Sequence, residues 1–307
     1  MSPSRLAPLA REYSIKFREQ FAGIRDASKW DDTSWLKIDA ARALPPNYQR
    51  LAKPGHAKSV ETVLKAYARW NPDVGYVQAM NLLASLLLIE LDYDQEATFW
   101  ALAALIKRLP PHFYAKAPYE LLAFWSDAEL LVLLAEEMLG LRHIRMPLLQ
   151  VAPKWLLEWF IGTLPLPTLV SAWTILLDEA VADAPPSILP LRLALALLQL
   201  NCGQLRPLDS GSPAQLQASF ELLQSFVMLS EDEGNRLLTR ALELSLDDEV
   251  VKEMRGRVGT SLALFMLDEK VNWPLRERPS LGKDVALCLT KRSVMPTSLC
   301  AILRDCM

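Results

Sequence analysis

Two short polar stretches hold the residues that could do chemistry, and the first is WLKIDAARALPP at residues 35–46. Asp39 and Arg42 are three positions apart, so in a helical turn they share a face and can form an ion pair. Pro45 and Pro46 are expected to end that turn, because proline cannot continue a helix. The pattern describes either an arginine whose direction a carboxylate fixes, or a solvated surface pair worth about 0–1 kcal/mol.

The second stretch is DVGYVQAMN at residues 73–81, just ahead of a strongly apolar run. Asp73 is the predicted N-cap of the helix that carries this run, which places Gln78 near its first turn. At that end of the helix the Gln78 amide can stay at a surface while the leucines that follow are buried. Alternatively, Gln78 and Asn81 act only as local caps or satisfy buried backbone groups.

An arginine and a glutamine together are groups that a GTP hydrolysis site can receive from another protein. Phosphoryl transfer is catalysed by positioning and charge stabilisation, and both can be supplied in trans. Arg42 would neutralise charge on the transferring phosphate. The amide of Gln78 can donate and accept hydrogen bonds at once, so it can hold an attacking water in line.

Other kinds of site find no support in the sequence. There is no GxxxxGK[ST] or GxGxxG loop, so neither of the usual nucleotide cradles is predicted. His56, His112 and His143 are isolated, and the four cysteines form no CxxC pattern, so we expect no metal site or covalent nucleophile. The net charge is −3 without a basic stripe, so no nucleic-acid partner is expected.

The elements that must position the two stretches are predicted to be helices throughout. The composition is 51% hydrophobic, with only 11 glycines and little of the alternation typical of strands. Residues 30–54 are predicted to be irregular, and a boundary between two helical lobes is possible near residues 141–147. Helices are predicted at residues 6–27, 59–70, from 73 onward, and at 94–109, 119–141, 147–163, 167–180, 186–201, 213–228, 231–245, 247–270 and 298–305.

One uncharged segment, residues 159–177, is long enough to span a bilayer. Pro165 and Pro167 interrupt it, so two buried helices joined by a turn are the better interpretation. The N-terminal residues also lack the apolar stretch of a secretory signal. We therefore expect no transmembrane segment and a cytosolic, intracellular protein.

At its two polar stretches the sequence resembles the TBC-domain family of Rab GTPase-activating proteins. The family motif I-x-x-D-x-x-R resembles residues 36–42, LKIDAAR, and the motif G-Y-x-Q-G-M-N resembles residues 75–81, GYVQAMN. A weaker likeness lies in WLLEWFIGTLPLPTLVSAWTILLDE, and the whole resemblance covers roughly residues 35–200.

The resemblance implies an all-α, two-lobed TBC-domain architecture. The N-terminal lobe would comprise residues 1–145 and the C-terminal lobe residues 146–307. The partner would be a Rab-type small GTPase in its GTP-bound state, which would itself carry GTP and Mg²⁺, so the chain would need no cofactor of its own. The partner Rab would recruit the protein to membranes.

Motif matching also implies a role for each site residue. Arg42 would be the arginine finger and Gln78 the glutamine finger of a mechanism that accelerates GTP hydrolysis in trans. Asp39 would orient Arg42, and Tyr76 would help to place the segment of Gln78, with Asn81 as a further supporting residue.

The sequence departs from the family pattern at four places. Leu36 replaces the motif isoleucine, Ala79 replaces the glycine that usually follows the glutamine, and Thr174 replaces the aspartate that usually follows Trp173. The upstream motif R-x-x-x-W has no match. The changes at Ala79 and Thr174 leave open a second function, that of a non-catalytic Rab-binding or scaffold protein.

Overall fold

The computed structural model describes residues 34–111, 113–114, 121–181 and 187–267. The expected all-α fold is confirmed, because the regular elements in this part of the chain are helices and no strand occurs there. The predicted helices at residues 6–27 and 298–305 lie outside it. The helices are α1 (Ser34–Ala41), α2 (His56–Trp70), α3 (Met80–Glu90), α4 (Gln95–Lys107), α5 (Leu122–Leu139), α6 (Arg145–Ala152), α7 (Leu166–Val181), α8 (Leu189–Leu200), α9 (Cys202–Leu205), α10 (Pro213–Ser225), α11 (Glu231–Glu243) and α12 (Asp248–Leu267).

The described helices fall into two compact units, each built from two segments of the chain. The first unit takes its described residues from Met1–Glu120 and Leu157–Ser187, and therefore holds α1–α4 and α7. The second unit takes its described residues from Leu121–Leu156 and Ile188–Met307, and holds the remaining helices. The division into lobes at residues 1–145 and 146–307 stays a prediction.

Helix starts follow local capping at some places and long-range contacts at others. Asp94 caps α4 by accepting a hydrogen bond from the backbone N–H of Ala97 at 2.9 Å. The predicted start of α2 at residue 59 is three residues late, because the helix begins at His56, after Gly55 with φ 82°. Ser59 accepts a hydrogen bond from Gln95 at 3.2 Å.

Residues 30–54 contain more regular structure than predicted. Helix α1 and a 3₁₀ helix at Pro46–Leu51 both lie within this stretch. Pro46 is the first residue of the 3₁₀ helix, where its missing N–H and fixed φ are tolerated. Pro45 therefore lies between two short helical elements, and Pro46 begins the second of them.

The uncharged segment at residues 159–177 holds one helix rather than two. Its first part, up to residue 165, is a turn after a π-helical segment at Pro153–Leu157, and α7 then begins at Leu166. Positive φ angles at Trp159, Phe160 and Gly162 explain why no helix forms there. Among the described residues, no helix has both the length and the apolar character needed to cross a bilayer.

Helix α2 organises the first unit, because α1, α3 and α4 all pack against it. Helix α3 also packs against α1 and α4, and its leucines at 83, 86, 87 and 88 are fully buried. Burying a leucine side chain contributes about 1.5–3 kcal/mol, so these contacts fix the end of α1 and the start of α3 on a shared core. An aromatic cluster closes the α2–α4 contact, with ring centroids 4.6–6.5 Å apart, and consists of Tyr67, Trp70, Phe99 and Trp100.

His56, at the first position of α2, joins that helix to α3 and to the loop after α3. Its Nε2 lies 2.6 Å from Ser85 Oγ and its Nδ1 lies 2.7 Å from the Tyr93 hydroxyl. Because the Tyr93 oxygen accepts a hydrogen bond from the Lys53 N–H, the Tyr93 proton is free to point at Nδ1. This arrangement fits a neutral imidazole, and burial lowers the pKa of His56.

The second unit contains two ion pairs on buried carboxylates of α5 that tie this helix to its neighbours. Arg255 on α12 donates to both carboxylate oxygens of Asp127 on α5, at 2.7 and 2.9 Å, and both side chains are largely buried. Arg145 on α6 forms a similar two-point pair with the buried Glu129 on α5. Such pairs make α6 and α12 sensitive to the loss of one partner.

We predict that acid weakens the fold through His56. The unfolded chain binds the proton more readily, so the contribution of His56 is complete above its ordinary pKa of 6.5 and is lost as the pH falls below it. In denaturant unfolding, His56 alone should contribute a decline in the free energy of unfolding of at most about 1.4 kcal/mol per pH unit below that point. The His56→Gln variant should show a shallower decline, and an identical pH slope in both proteins would contradict the role of His56.

We predict that removing Arg255 alone is costly because it strands a buried carboxylate. Arg255→Met should lower the free energy of unfolding by about 3–5 kcal/mol, whereas Asp127→Leu combined with Arg255→Met should restore most of it. Arg257, an exposed arginine of the same helix, provides the control, and Arg257→Met should change stability by less than about 0.5 kcal/mol. Urea unfolding followed by circular dichroism measures all of these, and a double variant as unstable as Arg255→Met would refute the explanation.

Candidate functional site

Arg42 directly follows the last residue of α1 and is held by Asp39 one turn earlier. The Nε and Nη2 atoms of Arg42 both donate to Oδ1 of Asp39, at 3.0 and 2.6 Å. The arginine side chain is 62% exposed while that of Asp39 is 8% exposed. The carboxylate therefore fixes the direction of a guanidinium that still faces solvent.

Asp39 also binds the segment that carries Gln78. Its second carboxylate oxygen accepts a hydrogen bond from the Tyr76 hydroxyl at 2.7 Å, and its main-chain oxygen accepts one from the Asn81 amide at 3.0 Å. Burial raises the pKa of Tyr76, and the Asp39 carboxylate raises it further, so the hydroxyl keeps its proton and donates. Asp39 thus connects Arg42 to Tyr76, which precedes Gln78 in the chain, and to Asn81, which follows it.

Gln78 lies at the corner of a tight turn. The Met80 N–H donates to the Val77 carbonyl at 3.2 Å, which closes a four-residue turn with Gln78 at its second position. Ala79, at the third position, has φ 87° and ψ −28°, as in a type II turn. The Gln78 side chain is exposed and forms no hydrogen bond within the described part of the chain, so its amide is available to a partner.

The prediction that Asp73 caps α3 is wrong, because this helix begins at Met80. Both Gly75 and Ala79, which precede Met80, have positive φ angles, and these would interrupt a helix that started near Asp73. Gln78 is therefore in the turn before α3 rather than in its first helical turn. The expectation that Gln78 sits at a surface ahead of a buried helix still describes its position.

The start of this loop depends on Asn71, which is not among the predicted site residues. The Asn71 carbonyl accepts a hydrogen bond from the Gly75 N–H at 2.8 Å, and its side-chain oxygen accepts one from the Val74 N–H at 3.4 Å. Its amide nitrogen donates to the Tyr67 hydroxyl at 3.2 Å. The Asn-Pro dipeptide at residues 71–72 is a turn signal that could have identified this role.

Two departures from the family pattern have a local structural setting. Ala79 occupies a left-handed backbone conformation, which glycine adopts without the steric cost that a Cβ atom introduces. Thr174 is buried within α7, where its hydroxyl donates to the Val170 carbonyl at 2.8 Å. Of these two departures, Ala79 belongs to the candidate site, because it directly follows Gln78 in the turn.

The site can present a guanidinium and a carboxamide on one connected framework. Asp39, Arg42, Tyr76 and Asn81 form one hydrogen-bonded network, and Gln78 is attached to it through its chain neighbours. In the part of the chain that the structure describes, no group of three or more His, Cys, Asp or Glu side chains is arranged to hold a metal ion. The groups in place suit charge stabilisation and water positioning at a phosphate brought by another molecule.

A family model described as the Rab-GTPase-TBC domain matches residues 11–205 of the chain. Growth hormone-regulated TBC protein 1 of Rattus norvegicus is 30% identical over 177 residues, covering 52% of this chain. TBC1 domain family member 10B of Mus musculus is 28% identical over 188 residues, covering 58% of this chain. The chain spans about half of the first relative, at 55% of its length, and 22% of the second.

A solved structure, described as the crystal structure of the Chlamydomonas flagellar RabGAP TBC domain, shares the fold. The match has a TM-score of 0.58 at 23% sequence identity. It covers 78% of this chain and 80% of the other chain. The helical arrangement is therefore that of a TBC domain.

We predict that the Tyr76 hydroxyl contributes to stability through Asp39. Tyr76→Phe should lower the free energy of unfolding by about 1.5–3 kcal/mol, because it removes a hydrogen bond to a nearly buried carboxylate. Tyr67→Phe is the matched control, since the Tyr67 hydroxyl pairs with a neutral amide, and should cost about 0.5–1.5 kcal/mol. Denaturant unfolding measures both, and a Tyr76→Phe variant as stable as the native chain would exclude this contribution.

Proposed function

This chain belongs to the Rab-GTPase-TBC domain family, and on that premise we propose that it accelerates GTP hydrolysis on a Rab-type small GTPase. The observation that carries the proposal is the pairing of two exposed polar side chains on one framework. Arg42 is directed by Asp39, and Gln78 stands at the corner of a turn whose flanking residues bind the same aspartate.

Each group has a defined role in this mechanism. Arg42 enters the nucleotide site of the partner and neutralises charge that develops on the transferring phosphoryl group. Gln78 donates and accepts hydrogen bonds and so orients the attacking water, in place of the glutamine that a Rab would otherwise use. Asp39, Tyr76 and Asn81 hold the two groups in place and do not touch the nucleotide.

The partner brings the remaining components of the reaction. It is bound in its GTP state, because the phosphate that Arg42 would meet is present only before hydrolysis. GTP and Mg²⁺ belong to the partner, so the chain needs no cofactor of its own. The protein would act from the cytosol on membranes that carry the partner Rab, and would switch off membrane-trafficking signals there.

The proposal predicts a large loss of activity when either finger is removed. In a single-turnover phosphate-release assay over a panel of GTP-loaded Rabs, Arg42→Ala should lower the stimulated rate on the responsive Rab by about 10³-fold or more. Arg42→Lys should be nearly as defective, because lysine lacks the planar fork of donors. Gln78→Ala should also impair stimulation strongly.

Arg257→Ala is the control for the loss of one arginine charge at a position outside the candidate site. Arg257 belongs to the second unit and is paired with Glu253. The Arg257→Ala variant should stimulate hydrolysis as the native chain does. Full activity of Arg42→Ala on the responsive Rab would sink the assignment of the arginine finger.

A second candidate function is that of a non-catalytic Rab-binding or scaffold protein. It draws on Ala79, which holds a left-handed conformation in the turn of Gln78 where the family usually has glycine. In that case the chain binds a Rab loaded with a non-hydrolysable GTP analogue but stimulates no member of the panel. Arg42→Ala would then leave this binding intact. The catalytic proposal makes no such demand on binding and is distinguished by stimulated phosphate release.

A further inference from the structure

Building on the proposed function, we infer that Asn81 is a positioning residue that selects between two orientations of the peptide bond joining Gln78 to Ala79. The observed orientation is the type II turn. The alternative is the type I turn, which keeps the Met80 to Val77 hydrogen bond but rotates this peptide by about half a turn.

The backbone preference of alanine opposes the orientation that is observed. A type II turn needs a positive φ at its third position, where Ala79 has φ 87°. A type I turn places the same residue near φ −90°, a conformation that alanine adopts freely. With a glycine at this position the two turns would differ much less, because glycine reaches both signs of φ readily.

A hydrogen bond to the side chain of Asn81 stabilises the type II turn. Asn81 Oδ1 accepts a hydrogen bond from the Ala79 N–H at 3.1 Å, in a buried environment. This N–H belongs to the peptide that rotates, so the type I turn would point it away from Asn81. The rotation would leave a buried amide oxygen without this donor, which is unfavourable.

Asn81 is itself held in place, so it can act as a fixed reference for the turn. Its side chain is buried, and its Nδ2 donates to the main-chain oxygen of Asp39 at 3.0 Å. Asp39 also directs Arg42. The orientation of the glutamine turn is therefore set relative to the arginine.

The choice of turn changes what the chain presents beside the Gln78 amide. On rotation, the Gln78 carbonyl and the Ala79 N–H exchange directions, and ψ of Gln78 changes from about +120° to about −30°. An acceptor beside the side-chain amide thereby becomes a donor. A water or phosphate placed by Gln78 would meet a different polarity in the two turns.

A double-mutant cycle on the full chain tests this coupling. With the Rab that responds to the native protein, Asn81→Ala should lower kcat of stimulated hydrolysis by about 5- to 30-fold, because alanine then favours the other turn. The apparent KM should change less than kcat, since Asn81 does not touch the partner. In the Ala79→Gly background the same Asn81→Ala change should cost no more than about 3-fold.

An equal loss of kcat from Asn81→Ala in the alanine and glycine backgrounds would overturn the inference, because the loss would then not depend on which turn residue 79 prefers.

Hydrogen exchange without any GTPase tests the turn separately from the function. The Ala79 amide should exchange slowly in the native chain and about tenfold or more faster in Asn81→Ala. Equal exchange in both proteins refutes the inference about the turn even if hydrolysis is stimulated. Slow exchange in a native chain that stimulates no Rab refutes the proposed function but supports the holding of the turn by Asn81.

Discussion

The nearly buried carboxylate of Asp39 is the interaction on which the rest of the site depends. A charge withdrawn from water needs donors, and here Arg42 and Tyr76 provide them to its two oxygens. Asn81 adds a third hydrogen bond to the main-chain oxygen of the same residue. Arg42 follows α1, whereas Tyr76 and Asn81 flank Gln78. The hydrogen bonds of Asp39 therefore also fix the position of the arginine segment relative to the glutamine segment.

The helical core makes this arrangement rigid and leaves the irregular backbone at helix ends. Helices α1, α2 and α3 pack against one another, so the end of α1 and the start of α3 have little freedom. Strain at Ala79 persists because its surroundings fix the turn, as is common where a backbone is held for a function. The proposed supply of groups to a partner GTPase requires this rigidity at the surface of the chain and no cavity within it.

The fold extends beyond the segment that the family model matches. That match ends at residue 205, whereas α10, α11 and α12 follow it and pack against α6, α8 and α5. The pair of Arg255 with Asp127 bonds the last of these helices into the second unit. These helices are therefore part of the domain as it folds, and separating them would expose apolar surface and strand a buried charge.

The sequence by itself determined what depends on near neighbours: the all-α class, most helix positions and the pairing of Asp39 with Arg42 across one turn. It identified Tyr76 and Asn81 through a resemblance to a family, without their contacts. The tertiary structure decided that these residues reach Asp39 from 37 and 42 positions away, and that α3 starts at Met80. The structure also places Ala79 at a positive φ that alanine disfavours. The contacts to Asp39 arise from helix packing between segments distant in the chain, so no local pattern could have predicted them.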